Sequence, residues 1–348
     1  MRILFKPNMA PRIFIVGTGR SGTSILYKSL GCHPAIHIFP REMRFIVDPG
    51  GLQDLVDDLT SRFHPVRARE TLYRFERMMR VYMTIPERAP YKGYAQAKWL
   101  GEDYYWPRLD QFCNALTEAE FEGVAWQVEP DDEGALVSFA RQVTGLRQKI
   151  VQKPQVPFRL SLPRRQLKVV KYFESRKEMA GLAAGLVDDL FLHASHLHGK
   201  ETWCEKTPQH LLALDFIWEL FPDSVVIHIK RDPRGVAQSL MSQFWAPSDM
   251  RGASLYLRSA YACWETLART LNLNERKYLE IKLEDFAVAP HNILAQITEF
   301  CGLKNEFSNL PEITLTRVDY WKDKLSAEEM KVANEILAPH VEAMGYEV

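Results

Sequence analysis

Residues 13–26 read IFIVGTGRSGTSIL, and this stretch decides the fold. Ile13 to Val16 are four consecutive apolar residues, the signature of a strand buried on both faces. A glycine-rich turn follows, and then a helical pattern from about Gly22 to Leu30, stopped by Gly31, His33 and Pro34. Strand, glycine turn and helix in that order aim backbone N–H groups and a helix N-terminus at one point, where an anion is favoured. Two templates overlap here. Gly17, Gly19 and Gly22 fit the spacing of a dinucleotide fingerprint, with Glu42 as a candidate ribose acid. Gly17 and Gly22 also frame a nucleoside-triphosphate loop, with Ser24 in the hydroxyl position. Thr23, however, stands where that loop carries lysine, and the cation has moved to Arg20. Ser21, Thr23 and Ser24 add hydroxyl donors.

A second segment has the same design. Residues 224–240, SVVIHIKRDPRGVAQSL, run from an apolar strand through a turn bearing Lys230, Arg231 and Arg234 into a helix bearing Ser239. A surface turn held by salt bridges has the same composition. Two anion-binding turns at strand C-terminal ends of one sheet nevertheless suit a nucleotide with anions at opposite ends of its ribose.

Composition narrows the classes. The chain has 348 residues, 46% hydrophobic and 25% charged, values ordinary for a globular protein. Its 44 basic and 44 acidic residues leave no global field for nucleic acid or anionic membrane, so an anion site must be built locally. Five scattered cysteines without a CxxC argue against disulfides and zinc, and for a reducing, cytoplasmic setting. No apolar run suggests a secretory signal or a membrane span.

Strand candidates recur at 35–39, 202–205, 224–229 and 278–282, and helices at 52–59, 62–82, 134–143, 175–198, 208–220, 233–241, 252–271, 290–301 and 326–343. Residues 86–107, rich in Pro, Gly and aromatics, read as loop or lid, and 151–171 as weakly structured or an edge strand with a loop. Strands alternating with helices imply one α/β domain over 1–348, a P-loop-like central parallel sheet flanked by helices. Residues 45–200 read as a largely helical and loop insertion.

GTGRSGTSIL followed by IKRDPRGVAQSL resembles the sulfotransferases that use 3′-phosphoadenosine-5′-phosphosulfate (PAPS), in their bacterial and protein-tyrosine branches, where the loop cation is arginine. The resemblance implies that Gly19, Arg20, Ser21, Gly22, Thr23 and Ser24 hold the 5′-phosphosulfate. Arg231 and Ser239 would hold the 3′-phosphate. HPAIHIFPREMRFI (33–46) is similar to the segment carrying a catalytic glutamate, which falls on Glu42 with one inserted residue. WCEKTP (203–208) is similar to the central lysine motif and places Lys206 near the transferred group. YWKDKLS (320–326), with Lys322, is similar to the segment that closes over the nucleotide. The scheme implies Glu42 as general base, Lys206 and Arg20 as charge stabilisers, PAPS as donor, no metal, and a hydroxyl-bearing small-molecule, glycan, lipid or peptide acceptor. Residues 45–200 match poorly, and the resemblance implies that this helical and loop insertion shapes the acceptor site. A nucleotide-dependent kinase and a non-catalytic nucleotide-binding module are the alternatives.

Several residues carry weaker readings. Glu42 has a surface ion pair with Arg41 or Arg44 as its competing role. His193, His196 and His198 suit a helix C-terminus better than a metal site. His37, His210 and His228 are reserve bases, with His228 expected in the core. Tyr91, Tyr94, Trp99, Tyr104, Tyr105 and Trp106 line an acceptor pocket or pack a loop. Arg164, Arg165, Lys168 and Lys171 suit a solvated face better than a contact with an anionic acceptor.

Overall fold

The computed structural model describes residues 10–84, 96–123, 165–313 and 315–348. The expected strand is Ile13–Val16 (β1), buried along its whole length. Ile36–Ile38 is β2, Thr117–Gly123 β3, Arg165–Val170 β4, Thr202–Lys206 β5, Val225–Lys230 β6 and Tyr278–Lys282 β7. Five of them form one sheet in the order β2-β5-β1-β6-β7, and every pair is parallel. β1 therefore lies in the middle, between two strands that arrive nearly two hundred residues later.

Alternation along the central strands divides the core. Phe14 and Val16 face one side with Trp203 and Val226, against Phe191 and Leu190 of the helix Arg176–Leu197. Ile13 and Ile15 face the other with Cys204, Val225 and Ile227, against Leu26 and Leu30 of the helix Thr23–Leu30 and Phe286 and Ile297 near the C-terminus. Each such buried side chain contributes roughly 1.5–3 kcal/mol. Polar contacts tie the edges. Arg12 Nη2 donates to Asp188 Oδ2 at 2.7 Å, and Trp203 Nε1 donates to the other oxygen at 3.0 Å. Ser175 caps its helix by accepting from the Glu178 amide, and Gly199 ends it with φ 65°.

Some expectations need correction. Within 86–107, residues 96–100 and 102–107 belong to the helices Gln96–Leu100 and Glu102–Ala115 rather than a loop. Within 151–171 the edge-strand alternative holds for residues 165–170, which pair with β3 in a separate two-stranded antiparallel sheet. Pro208–Ala213 is a 3₁₀ turn before the helix Leu214–Leu220. Helices Leu283–Val288 and Leu315–Lys324 had no counterpart in the sequence reading. Lys168 and Lys171 are not simply solvated, for Lys168 pairs with Glu76 and Lys171 donates to the Ala115 carbonyl. Residues 134–143, Tyr91, Tyr94 and Arg164 lie outside the described residues. Among the described residues no helix is long and apolar enough to cross a membrane.

His37 sits in edge strand β2, with its ring centroid 4.7 Å from that of His198. Burial, then the neighbouring His198 and Lys200, lower its pKa to about 4. The unfolded imidazole takes up its proton near pH 6.5 and the folded one only near 4, so stability falls as pH drops through that window. Urea unfolding at pH 7 and pH 5 checks this. In His37→Phe, the loss between the two pH values is expected to shrink by about 1–2 kcal/mol. An unchanged loss contradicts it.

Candidate functional site

The turn after β1 is built for close backbone approach. Gly17 is pinned where its amide donates to the Pro208 carbonyl at 3.4 Å, and a Cβ there would lie 2.7 Å from the Ile229 carbonyl. Gly22 opens the helix with φ 98°, a left-handed conformation that favours glycine, and a Cβ would meet Leu283 at 2.6 Å. Arg20 is also left-handed, with φ 72°, a cost of about 1–2 kcal/mol for a residue with a Cβ. The turn lifts the Arg20 side chain into solvent. Ser21 is buried and closes the turn, its hydroxyl donating to the Thr18 carbonyl at 2.7 Å. Thr23 is buried and Ser24 exposed at the first turn of a helix that has no side-chain cap. Its leading amides therefore have no intrahelical acceptor.

The turn after β6 comes to meet it. β1 and β6 pair in register from Ile13–Val225 to Val16–His228, so both chains leave the sheet at the same end. Arg20 Nε donates to Ser239 Oγ at 2.9 Å. Arg231 is buried beneath, where Nη1 donates to the Arg20 carbonyl at 3.3 Å and Nη2 to the Val318 carbonyl at 2.8 Å. Its buried Nε has no hydrogen-bond partner among the described residues. Burial, partly offset by Glu284, lowers its pKa. Arg234 takes no part in this junction; its guanidinium binds Asp232 and the Glu347 carbonyl. Lys230 pairs with Glu280 at 2.6 Å. Lys322 stands on the helix that Arg231 touches, but its ammonium lies exposed beside Asp319 at 3.1 Å.

The third component arrives on β5. Register sets Lys206 opposite Ile15, one residue before the end of β1. Lys206 Nζ donates to Glu42 Oε1 at 2.7 Å, and its ammonium lies 5.9 Å from the Tyr27 ring centroid. The Lys206 side chain is 12% exposed and that of Glu42 29%. Arg44 Nη1 is 3.9 Å from the other Glu42 oxygen. Glu42, Lys206, Arg20, Ser239 and Arg231 thus cluster where β1, β5 and β6 end, whereas Lys322 makes no comparable contact.

Sequence reasoning passed over one residue here. Glu205 is fully buried in β5. Its Oε1 accepts from the Met43 amide at 3.0 Å and from the Thr207 hydroxyl at 2.6 Å. His210 Nδ1 lies 3.0 Å from Oε2. Burial pushes the Glu205 pKa up, but His210, Thr207 and the Met43 amide outweigh it and hold the carboxyl below its ordinary range. The signal was a carboxylate inside a run of buried strand residues, a position that demands partners.

Other candidates fall elsewhere. His193 stacks on Tyr104 with ring centroids 4.0 Å apart, and Tyr105 is wholly buried. His228 is buried, with Nδ1 2.7 Å from the Tyr278 hydroxyl. A polar cavity of about 580 Å³ lies beside the helices Leu52–Leu59 and Pro65–Thr84. Arg62 lies within 3.8 Å of both Asp54 and Asp58 in its wall, so opposite charges already answer each other there.

A family model described as "Sulfotransferase family" matches residues 11–98 and 109–307. Comparison with curated protein sequences gave no match. Among solved structures, the sulfotransferase domain of the Synechococcus PCC 7002 olefin synthase is 15% identical, covering 99% of this chain and 98% of its own, with a TM-score of 0.49. The sulfotransferase domain from the curacin biosynthetic pathway is 12% identical over 98% and 100% of the two chains, with a TM-score of 0.43. Sulfotransferase STF9 from Mycobacterium avium is 14% identical over 99% and 79%, with a TM-score of 0.41.

Proposed function

This chain belongs to the sulfotransferase family, and from that premise we propose that it moves a sulfuryl group from PAPS to a hydroxyl acceptor, with Glu42 as general base. The observation that carries the reading is the junction of the two anion-binding turns, Arg20 bonded to Ser239 at 2.9 Å with Arg231 directly beneath. One nucleotide reaches both turns only if they adjoin. The residues suit a bisphosphorylated ligand: an exposed guanidinium, free helix amides, two hydroxyls, and a buried Arg231 Nε without a partner.

The donor supplies an activated sulfuryl group, and the chain's residues do the rest. Arg20, Ser21, Thr23, Ser24 and the amides from Gly19 to Ser24 receive the phosphosulfate end. Arg231 and Ser239 receive the 3′-phosphate, and Lys322 assists from the helix that Arg231 touches. Glu42 takes the acceptor's hydroxyl proton as the new oxygen–sulfur bond forms. The sulfur–oxygen bond to the 5′-phosphate breaks in line, and 3′,5′-adenosine bisphosphate leaves. Lys206 and Arg20 neutralise charge gathering on the sulfuryl oxygens and the departing phosphate, a contribution that resembles phosphoryl transfer. In the resting protein the Lys206–Glu42 pair keeps both groups at the chemistry's end of the site.

The test is direct. Calorimetry with 3′,5′-adenosine bisphosphate is expected to give micromolar or tighter binding without magnesium, and labelled PAPS is expected to transfer label to a member of a mixed hydroxyl library. Magnesium-dependent ATP binding with no bisphosphate binding would move the assignment to a kinase. Tight bisphosphate binding with no transfer to any acceptor would favour a binding module.

A further inference from the structure

Glu205 and Lys206 are consecutive in a strand, so their side chains leave on opposite faces. They nevertheless serve the same short segment. Lys206 takes the carboxylate of Glu42, and Glu205 takes the backbone amide of Met43, the next residue. The segment's other end is fixed by Tyr27, whose hydroxyl donates to the Phe39 carbonyl at 3.0 Å and accepts from the Phe39 amide at 2.5 Å. Between these two fixed points lie Pro40, Arg41 and Glu42. Glu205 is itself held from behind by the Thr207 hydroxyl, with His210 Nδ1 3.0 Å from its other oxygen. The Pro208 carbonyl between them binds the Gly17 amide at the start of the phosphate turn.

We propose that Glu205 is the positioning residue for Glu42, a buried brace that sets the Glu42 carboxylate against Lys206 and couples its placement to the phosphate turn. The inference rests on the reading of Glu42 as general base. A buried carboxylate is a costly brace; Oε1 of this one accepts from both the Met43 amide and the Thr207 hydroxyl, while His210 Nδ1 stands 3.0 Å from Oε2. A neutral apolar residue of similar size would fill the space and leave the Met43 amide without an acceptor. Misplacing a reacting group by about an ångström costs on the order of 10²-fold in rate.

The variants are Glu205→Ala, which removes the acceptor, and Glu205→Gln, which keeps a carbonyl oxygen for Met43 and Thr207. Thr207→Val loosens the brace from one side and keeps the test available if Glu205→Ala does not fold. Glu205→Ala is expected to lower kcat about 10²-fold with the KM for PAPS changed less than about threefold. Glu205→Gln should return to within about five-fold of the unaltered protein, and Thr207→Val should lose about five-fold. In a Glu42→Ala background each change should add less than about threefold, because the group being positioned is gone. Hydrogen exchange at the Met43 amide needs no substrate. It should quicken at least about ten-fold in Glu205→Ala and stay protected in Glu205→Gln. Rate losses that multiply in the Glu42→Ala background, or unchanged Met43 exchange in Glu205→Ala, overturn the proposal. If Glu42→Ala retains full activity, the base assignment itself fails and takes this proposal with it. If Glu42→Ala is inactive while Glu205→Ala and Thr207→Val are fully active, only the brace fails.

Discussion

Glu42→Gln is expected to lower kcat for sulfuryl transfer by about 10²–10⁴-fold, the usual contribution of a well-placed general base. The amide keeps the side chain's size and can still accept from Lys206, so the site's shape survives. The carboxylate's charge, and with it the ability to take a proton, is lost. Binding of 3′,5′-adenosine bisphosphate, measured by calorimetry, should stay within about threefold, since no proton moves on binding. Lys206→Met makes the complementary case. It removes the cation from the transferred group and should cost kcat about 10²–10³-fold, the scale seen when one transition-state donor is deleted. Were either variant to hold kcat within threefold while losing nucleotide affinity, the pair would be a binding element and not a catalytic one.

Arg231→Met should have two effects, because the side chain does two things. Bisphosphate affinity is expected to fall about 10²-fold with the loss of a charge-assisted donor. Stability is expected to fall by about 1–3 kcal/mol, because the buried guanidinium also holds the carbonyls of Arg20 and Val318. Arg20→Ala should separate the two effects. Its guanidinium is exposed and, among the described residues, bonded only to Ser239, so affinity should drop similarly while the melting temperature barely moves. Calorimetry and thermal melts on both variants check the contrast. Nucleotide affinity unchanged in Arg231→Met would remove Arg231 from the binding site and leave it a structural clip.

The strand–turn–helix units were legible because each carries its own local signal. Four apolar residues ending in glycine bounded β1 to the residue, and Tyr278–Lys282 was equally plain. The helices over 96–115 were hidden by Pro107, which sits inside the second of them, and by aromatics that read as loop anchors. β3 was hidden for another reason. Its residues are nearly all exposed, so no apolar alternation marks it, and it is a strand only because β4 pairs with it. In the site, Arg20, Ser239, Glu42 and Lys206 announced themselves as residue types in anion-binding or motif positions. Glu205 did not, because its role depends on an amide 162 residues away. A burial partner of that kind is a property of register and has no trace in neighbouring letters.

The central place of β1 also bears on how this molecule is made. A chain emerging from the ribosome through residue 200 presents the glycine turn with neither flanking strand yet synthesised. Its apolar edges must wait for more than half the polypeptide, a long-range closure that slows folding and leaves sticky backbone uncovered meanwhile. Nascent chains stalled before residue 206 should therefore recruit chaperones, and release them once residue 230 has cleared the exit tunnel.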